Sequence, residues 1–269
     1  MIKLIENLSD DTAKKLIPFF DGTLAGMFTL FSLLDRTSVD GAWVQTCAED
    51  VTALIVKKEM SKVYLAAGEN ADFYEIGDFI SRLGGMVVYC SSEFSEKTGV
   101  TAYSKVTLME LVGIKKDGRE SVEINDNLRP VFDLLVRSRK DIIAKSEAVA
   151  RRDLKKFTER AYKEWLSRTS RGIFGGYTTV RAVKVGENSV LSAAVADRLG
   201  NTVYIRDVAT DTEFRKMGYA SDCISSICRD LGSDGTRVFL ACNDLQTENF
   251  YKKIGFERKE YLDIGIIEL

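Results

Sequence analysis

Residues 208–220 read VATDTEFRKMGYA, and the chain continues as SDCISSICRDL to residue 231. Ile224, Ile227, Cys228 and Leu231 recur at three- and four-residue spacing, which predicts an amphipathic helix that closes on Gly232. Upstream, TVYIRDVAT (202–210) is β-branched and bounded by a Gly-Asn turn, so it predicts a strand. The quoted stretch therefore joins a strand to a helix through a short loop. A helix start leaves its first N–H groups without partners and carries the positive end of the dipole. Such a join can aim several N–H groups at one place and so bind an anion with backbone alone. Gly218 removes the side chain where a phosphate would approach most closely, Ala220 is small, and Arg215 and Lys216 add positive charge. The pattern R-x-x-G-x-A is common by chance, so a glycine at an ordinary helix start stays open on this evidence. The G-x-x-x-x-G-K-[ST] and G-x-G-x-x-G phosphate loops are absent from the chain.

The surrounding pattern is regular. TTVRAVKV, SVLSAAVADRL and TVYIRDVAT are three strands separated by GEN and GN turns, an antiparallel meander. After the helix, RVFLAC is a strand, LQTENFYKKI a helix and EYLDIGIIE a last strand. Before the meander stand two helical stretches. In the second, Leu154, Phe157, Ala161, Trp165 and Leu166 share one side, which makes Trp165 a core anchor rather than a ligand contact. This order predicts an α/β (α+β) fold, with a mixed, largely antiparallel sheet and helices on both faces. Between Arg129 and Arg171 there are 13 Lys/Arg against 6 Asp/Glu. That excess reads as a solvated helix face, with a basic wall near an anionic ligand as the sharper alternative.

The N-terminal half is a second α/β pattern. Residues 1–35 read as mostly helical. VTALIVK (51–57) and KVYLAA (62–67) form a hairpin, DFYEIGDFISRLGG is a helix ending in a Gly pair, and MVVYCSS and YSKVTLMELV are strands. The polar run KKDGRESVEINDN (115–127) is the expected junction, giving domains 1–125 and 126–269.

Composition narrows the chemistry. The 269 residues carry a net charge of −2, which argues against a dedicated nucleic-acid binder. There is no histidine, which removes His-based triads, His-containing zinc sites and a His general base. The five cysteines show no C-x-x-C pairing and suit buried free thiols in a cytoplasmic protein. No apolar run reaches the length of a membrane span, and neither a signal peptide nor a metal site is expected.

Two blocks carry a resemblance. Val208, Ala209, Thr210, Glu213, Arg215, Gly218, Tyr219 and Ala220, followed by Phe250, Tyr251, Lys253, Gly255 and Phe256, resemble the GNAT superfamily of acyl-CoA-dependent N-acyltransferases. The likeness covers about residues 130–269. The N-terminal half is similar to a worn-down GNAT half without the phosphate loop, the alternative being an unrelated α/β cap. The resemblance implies acetyl-CoA as acyl donor and a small-molecule or peptide amine as acceptor, without nucleic acid or membrane; a homodimer is compatible with it. It implies that backbone groups of Val208, Ala209 and Thr210 meet pantetheine, and that N–H groups of Arg215, Lys216, Met217, Gly218, Tyr219 and Ala220 hold the pyrophosphate. Tyr251 is implied as the general acid. Asp207 is a candidate base beside Glu213 or a water relay. The chain departs from the family at Thr212, at Lys216–Met217 and at Asp244, where many members have Asn, which puts one pantetheine hydrogen bond in doubt. A non-catalytic acyl-CoA-binding module is the competing function.

Overall fold

The computed structural model describes residues 1–36, 38–48, 50–84, 87–115, 118–119, 121–138, 151–186, 189–232 and 235–267. Side chains of residues 10 and 151–158 lie outside the description, and with them the expected helix-face positions Leu154 and Phe157. Gly85 of the expected Gly pair, and Glu187 and Asn188 of the GEN turn, also lie outside the described residues. The chain divides into two compact units. The first holds residues 1–110, 239–251 and 257–269; the second holds 111–238 and 252–256. The sequence-based cut at 125/126 is therefore corrected: two C-terminal segments belong with the N-terminal half. Strand pairing supplies the reason.

In the first unit, β1 (Ile2–Leu4), β2 (Val39–Cys47), β3 (Asp50–Lys58) and β4 (Lys62–Ala67) pair antiparallel in that order. A parallel ladder joins β4 to β5 (Val87–Ser91). β5 then pairs antiparallel with β12 (Phe256–Ile267), and β6 (Val100–Leu111) with β11 (Arg237–Cys242). One face packs Ile55, Val63, Leu65 and Val88 against Ile76 and Ile80 of α3 (Phe73–Arg82). That helix starts where the Asp72 carboxylate accepts the Glu75 N–H at 2.9 Å. The expected helical start resolves into α1 (Asp10–Phe20) and α2 (Leu24–Leu33), preceded by β1. The α2 start is held from β12, whose Glu260 carboxylate accepts the Leu24 and Ala25 N–H groups at 2.8 Å each. β1 and β2 escaped the sequence reading because three residues are too few to show a period, and Gly41 interrupts the alternation of β2.

In the second unit, β7 (Val122–Glu123), β8 (Thr178–Val185), β9 (Ser189–Leu199) and β10 (Thr202–Thr210) form the expected antiparallel meander, with β7 as an addition. β7 lies inside the polar segment read as a junction. Val180, Ala182, Ala193 and Val195 face α4 (Arg129–Ser138), and Trp165 and Leu166 of α5 (Arg151–Phe174) pack on the same cluster. α6 (Tyr219–Leu231) packs on β8, β9 and β10. Its Cys223 bonds Ser192, the neighbour of Ala193 and hence on the opposite face. Helices therefore cover both faces, as the buried run of β9 requires. α7 (Leu245–Ile254) completes the element order between β11 and β12.

Candidate functional site

The end of β10 is built around a bulge. Arg206 pairs with Val195 and Ala209 with Ala193, so Asp207 and Val208 together oppose Ala194. Asp207 takes up the extra residue with φ of 51°, a left-handed value for a residue with a side chain. Its surroundings hold it there. Asp207 Oδ2 accepts from Trp165 Nε1 at 3.1 Å and from Arg206 Nη1. Arg206 is buried and forks onto Asp197, with Nε to Oδ2 at 2.6 Å. Asp197 is 1% exposed and also receives Arg168 Nη2 at 2.8 Å and Thr178 Oγ1 at 2.6 Å. Burial alone would raise the Asp197 pKa, but the Arg206 and Arg168 guanidiniums outweigh it and hold it below the usual carboxylate range. Asp207 is thus tied into a structural network and is poorly suited to collecting a substrate proton. Glu213 is exposed on the loop.

Beyond the bulge, Ser192 Oγ donates to the Ala209 carbonyl at 3.0 Å and pairs with Thr210 Oγ1 at 2.9 Å. The Thr210 carbonyl accepts a long bond from Arg215 Nε at 3.4 Å. Asp211 then accepts from Glu213 N–H in a single 3-10 turn over Thr212–Phe214. Lys216 (φ 66°) and Gly218 (φ 92°) both turn left-handed, and Gly218 is the N-cap of α6. Only the glycine does so without steric cost. The first backbone bond of the helix runs from Asp222 N–H to the Gly218 carbonyl at 3.0 Å. The N–H groups of Tyr219, Ala220 and Ser221 precede it and have no intrahelical acceptor. Strand, glycine turn and open helix start are thus brought together as expected, with Arg215, Lys216 and Met217 exposed.

Two residues of this loop's support escaped the sequence reading. Asp222, buried in the first turn of α6, accepts the Arg119 N–H at 3.0 Å and Arg119 Nε at 3.1 Å. Arg119 Nη2 also reaches the Met217 carbonyl at 3.1 Å, and its guanidinium lies 4.8 Å from the Tyr219 ring centroid. The sequence offered little signal, since Asp222 stands opposite the apolar face of Ile224, Ile227, Cys228 and Leu231 and reads as an ordinary polar-face acid.

Tyr251 and Asp244 belong to the first unit. Tyr251 is buried on α7, with its ring 5.1 Å from Phe250. Asp244 caps that helix: it accepts Thr247 N–H at 2.8 Å and Thr247 Oγ1 at 2.7 Å, and these bonds lower its pKa. The departure from Asn is therefore explained locally, since Asp is an equally good cap. Gly255 of the second block has a structural reason. A Cβ there would collide with the Gly113 carbonyl, and Val112 N–H bonds the Gly255 carbonyl at 3.0 Å. Cys242 is buried, with Sγ 3.7 Å from Met109 Sδ. Among the described residues, no three His, Cys, Asp or Glu side chains are placed to hold a metal ion, and no helix is long and apolar enough to cross a membrane.

A mostly antiparallel α/β sheet carries a bulged strand that feeds a glycine-capped helix start. Residues 185–262 match the family model described as FR47-like protein. No curated protein matches the chain. Among solved structures, an acetyltransferase of the GNAT family from Colwellia psychrerythraea superposes with a TM-score of 0.64 at 10% identity, covering 100% of both chains. A tandem GNAT protein from the clavulanic acid biosynthesis pathway gives 0.57 at 9% identity, covering 100% of this chain and 99% of the other. A GCN5-related N-acetyltransferase from Sphaerobacter thermophilus gives 0.55 at 11% identity, covering 85% and 81%. The fold is the one these GNAT acetyltransferase structures share.

Proposed function

We propose that this protein is an N-acetyltransferase that moves an acetyl group from acetyl-CoA to a primary amine of a small molecule or peptide. The observation that carries the proposal is the open helix start at Gly218, entered from a bulged strand and lacking a side chain at its cap. N–H groups without intrahelical acceptors and a bare cap fit a pyrophosphate. Arg215 to Ala220 would hold it, and Val208 to Thr210 would run beside pantetheine as an added strand. Acetyl-CoA supplies the activated acyl thioester. Direct amine attack needs a proton for the departing thiol, and Tyr251 is the group proposed to hold it on Oη. With Asp207 committed to Arg206 and Trp165, water is the proposed carrier of the amine's proton. Cys242, buried against Met109, favours direct transfer over an acyl-cysteine. The free cysteines support a reducing, cytoplasmic setting.

Isothermal titration should show acetyl-CoA binding, and a panel of amines should release free CoA; no binding at millimolar acetyl-CoA would sink the reading. Tyr251→Phe should keep binding and lose about 10²-fold or more in kcat. Unchanged turnover would remove Tyr251 from the mechanism. The engagement of Asp207 favours one second reading, a non-catalytic acyl-CoA-binding module. Tight binding without thiol release across the amine panel would select it.

A further inference from the structure

The strand-to-helix loop does not hold its shape alone. Lys216 adopts a left-handed conformation, φ 66°, that residues with a side chain rarely take. Strain of this kind persists only where neighbours over-determine it. Asp222 poses a second difficulty, because a carboxylate in the first turn of α6 occupies the region where an anion would be drawn. Both difficulties meet at one residue. Arg119 grips Met217 before Gly218 through its carbonyl, Tyr219 after it through the ring, and Asp222 one turn on through the carboxylate. Its own backbone is docked along α6. A Cβ on Gly118 would stand 2.8 Å from Asp222 Cα, and Ser121 N–H bonds Ser226 Oγ at 3.4 Å.

We propose that Arg119 is a positioning residue for acyl-donor binding: it fixes the Lys216–Tyr219 turn and neutralises Asp222, so that the open N–H groups of α6 meet a phosphate in place. The inference rests on the acetyl-CoA reading above. It requires the planar fork of arginine, because a lysine ammonium cannot reach a carboxylate, a carbonyl and a ring face in one plane. It also requires little from global stability, since the Arg119 side chain is 65% exposed.

The test uses the full chain and CoA as the probe. Kd is measured by titration for wild type, Arg119→Met and Arg119→Lys, in low salt and in about 0.5 M salt, where a bare surface charge is largely screened. Both variants should weaken CoA binding about tenfold relative to wild type, and the ratio should persist in high salt because preorganisation is not screened. The ligand-free melting temperature should move by less than about 4 °C. Wild-type affinity in the lysine variant, or a ratio that vanishes in high salt, would reduce Arg119 to a charge and overturn the inference. Unchanged binding in both variants overturns it alone. Failure of wild type to bind CoA overturns the acetyl-CoA reading and this inference with it. Arg119→Lys keeps the charge and most of the side chain, so it decides the matter even where Arg119→Met fails to fold.

Discussion

At Gly218 the backbone conformation and the proposed chemistry make the same demand. The cap is left-handed at φ 92°, and the Tyr219, Ala220 and Ser221 N–H groups of the helix it opens have no intrahelical acceptor. Valine there would be strained by about 1–2 kcal/mol and would add a branched side chain at the cap. Lys216 is exposed and offers only a screened charge. Gly218→Val should therefore raise the Kd for acetyl-CoA at least about tenfold, and Lys216→Ala less than about threefold, both read by titration. The reverse order would make the loop a charged helix start and nothing more. Gly218 and Ala220 were legible in the sequence because their role is to be small, and smallness is written in the residue name. Arg119 was not legible. It lies 103 residues from Asp222, and no local pattern joins a polar loop to a distant helix turn. Asp207 was legible as an acid beside the loop, but its engagement by Trp165 and Arg206 depended on a bulge that periodicity does not reveal.

The elements of the second unit are locked together by one buried carboxylate. Asp197 on β9 joins β8 through Thr178, α5 through Arg168 and β10 through Arg206. Removing its charge leaves two guanidiniums without their shared partner, a loss on the order of 3–5 kcal/mol for a broken buried pair. Asp197→Asn should show that loss in urea unfolding at pH 7. The pH dependence has a definite sign. Asp197 is held below the usual carboxylate range in the fold, whereas the unfolded side chain titrates near about 3.9. Its contribution is therefore complete above about pH 4 and is lost as pH falls from there toward the folded value. Wild type should lose its advantage over Asp197→Asn progressively as pH falls below about 4; parallel pH profiles for the two proteins would refute the assignment. Most of these elements were readable, since β8 to β10 are short strand-like runs set off by GEN and GN turns and α6 carries a clean apolar face. β7 was not, being two residues inside a polar run.

At the scale of the molecule, the two units trade chain segments. β12 pairs with β5 and β11 pairs with β6, so the last strands complete the sheet of the first unit. A sequence reading finds strands but not their partners, because pairing between segments more than 100 residues apart leaves no local period. It therefore placed one cut at the polar junction, where composition changes. The consequence is testable by dissection. A fragment of residues 126–269 carries every residue of the two resembling blocks, yet it lacks β5 and β6. It would expose the unpaired edges of β11 and β12. It also removes Arg119 from the Met217–Asp222 turn. We expect the fragment to aggregate or to melt without a cooperative transition, and the full chain to unfold cooperatively. Adding residues 1–125 as a separate chain should restore soluble material only as a complex, because the missing partner strands are then supplied in trans. Circular dichroism and size-exclusion chromatography would read both outcomes. A fragment that folds cooperatively on its own would show instead that β11 and β12 need neither β6 nor β5, and would return the boundary to the polar segment.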